Sequence, residues 1–347
     1  MTLALICKYA AILRKVLNNP LKKEARNILA IRTDRFGEFI LTLPAIYALK
    51  ENFPQSRLTL MANSYSAQLI RNNPLIDEII EYEENRFRGI GPTFKLISQF
   101  QERKFDLAVV FNPKKKFHLI TFLAGIPIRV GYNRKWGFLL NHKIKDLKYL
   151  GAKHEIEYNF DLLKAIDIDS DKKSPQININ RQEEERVLVV LAKYGINKET
   201  KFIVVHPWTS DTIKQWPVNY FIDLVKRIAS ELNTKVLIIG GREEAPKAKE
   251  YFINLGNNVI NLTGQVSLKE SAVILKYAKL LISGDSGPVH LASSVGTPVV
   301  AIFRNDIPGK SATRWGPTSK GSIVIENSNL GDISPQEVLE KVRSAIK

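Results

Sequence analysis

Apolar residues along the chain fall into short strand-length runs, the clearest being 280–282 and 299–303. Runs at 27–32, 57–61, 78–82 and 106–111, and again at 202–206, 236–240, 259–263, 280–283 and 299–303, predict strands buried on both faces. Between them apolar positions recur at helical spacing, as over 218–232. Strand and helix alternate, which predicts a parallel sheet covered by helices, twice over. A polar stretch, DIDSDKKSP at 167–175, ends in proline and reads as the linker between the halves. The chain closes with Ser334-Pro335-Gln336-Glu337, a capping box with proline at the first helical position. It opens a last amphipathic helix through Val338, Val342 and Ile346. At 347 residues the chain is long enough for two domains, each with its own core.

One segment carries candidate chemistry within that pattern. Leu280, Leu281 and Ile282 predict a buried strand, followed by the polar turn Gly284-Asp285-Ser286-Gly287. A short helix follows, with Pro288 near its first turn and His290 on it, and Gly296 stops it. Such a turn presents free backbone N–H groups and the positive helix end, which suits a phosphate; it is also an ordinary strand-to-helix connection. In open α/β sheets ligands bind at the carboxyl ends of the strands. The second half gathers His206-Pro207-Trp208-Thr209-Ser210, Gly240-Gly241-Arg242-Glu243, Thr263-Gly264-Gln265, Asp285-Ser286-Gly287 and Arg304-Asn305-Asp306 on that edge. Hydroxyls, glycines and charges together suit a ligand with a ribose, a diphosphate and a base. Lys214, just past the first of these strands, offers a cation for the diphosphate.

Charge adds a partner class. The formal net charge is +16, and most of the excess falls in the first half. Its densest part, 114–153, holds Lys114, Lys115, Lys116, Arg129, Arg134, Lys135, Lys143, Lys145, Lys148 and Lys153 against Asp146 alone. Such a field attracts anionic substrates or membranes. No nucleic-acid motif accompanies it, and aromatics are not interleaved for base stacking, so nucleic acid is not expected. In the first residues, Leu5, Tyr9, Ile12 and Val16 share helical spacing, with Lys8, Arg14, Lys15, Lys22 and Lys23 around them. A basic amphipathic helix of this kind lies on an anionic membrane or packs on protein. MTLALIC lacks the features of a signal peptide. The longest uncharged run, 286–303, is interrupted by glycine and proline, so no membrane span is expected. A single cysteine, Cys7, excludes an intrachain disulfide and fits a reducing cytoplasm. The five histidines show no paired ligand spacing. Asp167, Asp169 and Asp171 lie beside Lys172 and Lys173 in the linker and read as solvated, so no metal is expected.

Four segments, RTDRFGEFILTLPAI (32–46), HPWTSDTIKQWP (206–217), IIGGREE (238–244) and SGDSGPVHLASSVGTPVVAIF (283–303), resemble in order and spacing the heptosyltransferases of lipopolysaccharide core assembly, glycosyltransferase family 9. The resemblance runs from about residue 27 to the last helix. It implies a GT-B fold, two Rossmann-like doubly wound parallel-sheet domains facing a cleft. The expected layout is a basic arm at 1–24, an acceptor domain at 25–170, a nucleotide-sugar donor domain at 171–332, and a helix at 333–347 returning to the first domain. The implied reaction is inverting and metal-independent, with ADP-heptose as donor, an anionic glycolipid as acceptor, and no cofactor. The implied location is cytoplasmic, peripheral to the inner face of an anionic membrane. A GT-B sugar-nucleotide epimerase or hydrolase, or a non-catalytic nucleotide- or glycan-binding scaffold, would share the donor pocket.

The resemblance also implies roles residue by residue. Glu38, after Gly37, stands where the family has its acidic base, often an aspartate. Lys214 matches the diphosphate-contacting lysine, and Asp285 would orient sugar hydroxyls or Lys214. Ser286, Gly287, Thr209 and Ser210 match the phosphate side of the donor site, with His290 one helical turn on, where it contacts donor or only packs. Glu243 matches a ribose-binding carboxylate, Gly241 belongs to the donor site, and Val266 is a candidate for the adenine wall. Arg32, Arg35 and Arg129 fall in segments near the acceptor. The loop Phe303-Arg304-Asn305-Asp306-Ile307-Pro308 departs from the frequent F-G-P-T-D-P.

Overall fold

The computed structural model describes residues 25–347. The basic arm expected at 1–24 lies outside the described residues. The chain divides into two compact units, and the boundary between Lys173 and Ser174 falls within the expected linker. The second unit also takes in two short segments, Phe36–Leu41 and Lys148–His154.

The first unit is built from β1 (Asn27–Arg32), α1 (Phe36–Asn52), β2 (Arg57–Ala62), α2 (Ser64–Ala67), β3 (Glu78–Glu81), α3 (Ile90–Arg103), β4 (Leu107–Val110), α4 (Lys115–Leu123), β5 (Ile128–Tyr132), β6 (His142–Ile144) and α5 (Glu155–Lys164). Its six strands are all parallel, in the order β3-β2-β1-β4-β5-β6. Ile28, Leu29, Ala30 and Ile31 of β1 are buried without interruption, as a strand covered on both faces requires. The core on one face joins Leu29, Ile31, Val110, Phe100, Phe117 and Ile120.

The second unit continues with α6 (Arg181–Ala192), β7 (Phe202–His206), α7 (Val218–Glu231), β8 (Lys235–Ile238), α8 (Ala245–Tyr251), β9 (Val259–Asn261), α9 (Leu268–Tyr277), β10 (Leu280–Gly284), α10 (Gly287–Ser294), β11 (Val299–Phe303), α11 (Ala312–Trp315), β12 (Ile323–Glu326) and α12 (Pro335–Ala345). Its strands, again all parallel, run β12-β11-β10-β7-β8-β9. Counted within each unit, the two orders are the same: the chain moves outward from the first strand, returns, and moves outward on the other side. That reversal makes a switch point in each sheet, between β1 and β4 and between β7 and β10, where a crevice opens at the carboxyl ends.

The closing helix belongs to the second unit. Ser334 caps it as predicted, its hydroxyl accepting from the Glu337 N–H at 3.1 Å. It packs against α7 within the second unit. Val338, Leu339 and Val342 are fully buried in a core with Leu224 and Ile228 of α7. Trp216, also fully buried, donates its indole N–H to the Ile333 carbonyl at 2.9 Å and tethers the entry of α7 to the start of α12.

Candidate active site

The second-unit switch point assembles most of the expected donor residues. The register sets Ser283 of β10 beside His206 of β7. Ser283 Oγ donates to the His206 carbonyl at 3.2 Å and lies 2.8 Å from Ser286 Oγ. His206 Nδ1 lies 3.2 Å from Ser286 Oγ. Burial pushes the His206 pKa down to about 4, so the ring is neutral and the hydroxyl of Ser286 is held by uncharged partners. Sequence reasoning placed His206 at a strand end without a role and passed over Ser283. Only the adjacency of β7 and β10, set by the chain reversal, brings them together.

Lys214 ends a single 3₁₀ turn, Thr212–Lys214, capped by the Asp211 carboxylate. Its Nζ lies 2.5 Å from Asp285 Oδ2. Burial raises the Asp285 pKa, and Lys214 opposes that shift. The lysine thus offsets part of the cost of burying that carboxylate. Two further cation–acid pairs surround it. Lys310 Nζ is 3.1 Å from Asp211 Oδ2. Arg304 pairs with Asp306 at 2.5 Å and donates from Nη1 to the Ile213 carbonyl at 3.3 Å. The loop that departs from the family pattern thus reaches back to the turn bearing Lys214. Sequence reasoning did not assign Lys310.

The remaining donor candidates line the same edge. Thr209 is half-buried, its hydroxyl 3.5 Å from the Asp285 carbonyl, and Ser210 is exposed. Gly241 and Glu243 lie exposed in the turn before α8, and Val266 is half-buried just before the Ser267 cap of α9. Between them sits a small cradle. The buried Trp208 Nε1 and Thr263 Oγ1 have no hydrogen-bond partner among the described residues. A Cβ on Gly240 would come within 2.7 Å of the Trp208 ring and 2.9 Å of Thr263 Cγ2, so only glycine fits there.

His290 is buried on α10, its ring centroid 6.2 Å from that of Trp315. The segment Phe36–Leu41 packs on this part of the second unit. A Cβ on Gly37 would lie 2.9 Å from His290 Cδ2, and one on Gly287 would strike the Phe36 ring. The glycines at 37 and 287 therefore permit close approach. Glu38, half-buried, follows Gly37 in the first turn of α1.

The arginines expected at the acceptor sit differently. Arg32 is 2% exposed; its Nε is 2.7 Å from Asp34, its Nη2 3.6 Å from the buried Glu155, and its Nη1 donates to the Phe111 carbonyl. Arg129, 6% exposed, donates to the carbonyls of Leu139 and Ile126. Both guanidinium groups are bound inside the first unit, and this geometry gives no support to ligand contact by either. Arg35, at the N-cap of α1, is exposed. No group of three His, Cys, Asp or Glu among the described residues is arranged to hold a metal. Asp169 of the linker pairs with Lys164 and Lys173 instead. No described helix is long and apolar enough to cross a membrane.

Residues 93–342 match glycosyltransferase family 9 (heptosyltransferase). The chain is 24% identical to lipopolysaccharide heptosyltransferase 2 of Salmonella typhimurium, covering 92% of this chain and 98% of that protein. It is similar in structure to a family 9 glycosyl transferase from Veillonella parvula, with a TM-score of 0.83 at 20% identity over 95% of this chain and 99% of that one. A second similar structure is E. coli ADP-heptose LPS heptosyltransferase II, with a TM-score of 0.78 at 23% identity over 92% of this chain and 98% of that one. These likenesses show the fold, GT-B, with its two doubly wound units.

Proposed function

Since the chain belongs to glycosyltransferase family 9, the heptosyltransferase family, we propose that it transfers heptose from an ADP-sugar to a lipopolysaccharide core acceptor, inverting the anomeric carbon without a metal. The observation that carries this reading is the Lys214–Asp285 pair beside the Ser286 turn, at the second-unit switch point. The Ser286 hydroxyl and the amides of Ser286 and Gly287 hold diphosphate oxygens at the start of α10. Lys214 neutralises the charge that grows on the diphosphate as the bond from C1 to its oxygen breaks. Glu38 takes the proton from the acceptor hydroxyl as that oxygen attacks C1 from the opposite face. Thr209, Ser210, Gly241, Glu243 and Val266 complete the donor site, with His290 supporting its floor, and Arg35 faces the acceptor. The basic first unit and the 1–24 arm keep the protein at the cytoplasmic, anionic face of the inner membrane as a peripheral protein.

The test is a transfer assay with ADP-heptose and a delipidated lipopolysaccharide core, product mass being the readout. Glu38→Gln should cut turnover by about two to four orders of magnitude and leave ADP affinity within about twofold. EDTA should leave the rate unchanged. Equal turnover in Glu38→Gln would remove Glu38 from the mechanism, and ADP release without a heptosylated product would favour a hydrolase or epimerase.

A further inference from the structure

We propose that the loop joining β5 to β6 is a membrane-docking finger whose Trp136 and Phe138 rings enter the headgroup region of an anionic bilayer. The proposal rests on the peripheral attachment proposed above and assigns it to a specific surface.

Trp136 is 42% exposed and Phe138 71% exposed, their ring centroids 6.5 Å apart. Nearby on α4, Phe122 is 45% exposed, its ring 5.4 Å from the guanidinium of the buried Arg129, which also donates to the Leu139 carbonyl at the end of the loop. Cations border the rings. Lys115 Nζ lies 5.7 Å from the Trp136 ring, and Arg134, Lys135, Lys143 and Lys145 are exposed along the loop and the β6 edge. The one acid in this stretch, Asp146, is paired with Arg134 at 3.0 Å.

The loop is held in this shape. Lys135 and Trp136 both take left-handed backbone conformations, at φ 48° and 68°, which disfavour residues with a Cβ. The buried His118 donates from Nδ1 to the Lys135 carbonyl at 3.0 Å. A Cβ on Gly137 would meet Asn133 Oδ1 at 2.9 Å and the Tyr132 carbonyl at 3.0 Å. The fold thus fixes a costly turn that presents two aromatic rings to solvent, instead of letting them tuck against the sheet.

Chemistry selects the occupant. Amphipathic aromatic rings settle at the membrane–water interface, and a one-sign ring of lysines binds lipid phosphates. Three partly exposed rings fall far short of the ~800 Å² per partner of a standard protein interface.

The test uses the full chain with vesicles of phosphatidylcholine, with and without phosphatidylglycerol, read by sedimentation and by quenching of tryptophan emission with brominated lipid. The wild type should bind the anionic vesicles at low salt, with quenching that W136F largely removes, since Trp208 and Trp216 are buried and Trp315 is half-buried against Arg314 and His290 of the second unit. The W136A/F138A variant should bind about tenfold more weakly or worse, in keeping with the loss of two partly inserted rings. Its turnover on the delipidated acceptor should match the wild type, which also shows that it folds. If the wild type binds and the double variant binds equally, the docking finger is wrong while peripheral attachment stands. If the wild type ignores anionic vesicles, both readings fail. If the double variant instead dissolves a self-associated form, the surface is a contact between copies and the proposal is overturned.

Discussion

His206 offers a test of the site in which the expected magnitude follows from burial. Its ring lies at the end of β7 against Ser283 and Ser286, and burial pushes its pKa from an ordinary 6.5 to about 4. In the unfolded chain it takes up a proton near its ordinary pKa; in the folded chain it resists until about 4. Between those values the unfolded state holds more protons, so stability rises with pH across that window. The contribution is fully present above the unfolded pKa and is lost as pH falls through the folded one. A shift of this size, at about 1.4 kcal/mol per unit, amounts to about 3 kcal/mol.

His206→Asn keeps a polar atom near the position of Nδ1 and cannot titrate. Urea unfolding of both proteins from about pH 7 to about pH 4.5 should show the wild type losing about 2–3 kcal/mol more than the variant. Burial also lowers the pKa of His118, but that ring is common to both proteins and cancels in the difference. Parallel stability profiles would refute the reasoning: His206 would then be open to water, and Ser286 would not be held as described. At neutral pH the variant should also bind ADP several-fold more weakly, because Ser286 loses a partner that orients its hydroxyl.

Two further outcomes follow from named contacts. Lys214→Ala should raise the ADP dissociation constant about tenfold and slow transfer together, because a charge-assisted contact to the diphosphate is lost in ground and transition states alike; calorimetry with ADP reads it, and an unchanged constant would confine Lys214 to its pair with Asp285. Trp216→Ala should cost about 3–5 kcal/mol of stability, since it empties a fully buried site, breaks an edge-on contact with Phe221 at 4.6 Å and strands the Ile333 carbonyl; a thermal midpoint within a degree or two of the wild type would contradict that packing.

The central strands were readable because both of their faces are covered. Leu280–Gly284 and Val299–Phe303 are buried at every position, and unbroken apolar runs follow directly. The strands that sequence patterning missed lie toward the sheet edges or carry polar residues. β6 is three residues, His-Lys-Ile, none of them buried. β12 is half exposed, and β5 includes Arg129 and Gly131. The stripe of Val338 and Val342 correctly required a packing partner, but a stripe does not name one; within the second unit that partner is α7. Likewise Lys214 and Asp285 were each readable from a local motif. Their ion pair depends on which strands neighbour each other, a property of topology rather than of any window of sequence.

Identical topology in the two units sharpens what makes a site. Both sheets reverse direction at their first strand, and each opens a crevice there. In the first unit the chain fills its own switch point. The guanidinium of Arg32 bonds Asp34, Glu155 and the Phe111 carbonyl, and Asn112 donates to Thr33 Oγ1 at 3.1 Å. Those groups stiffen the end of β1 and the entry to α1 that carries Glu38. In the second unit the equivalent place keeps a half-buried serine hydroxyl, a lysine balanced by a carboxylate and glycines that admit close approach. One crevice is closed into a rigid mount and the other is left lined for an anion. The difference comes from side chains rather than from the topology, which is shared, so a substitution that reopens the first, such as one at Glu155, should cost stability before it changes chemistry.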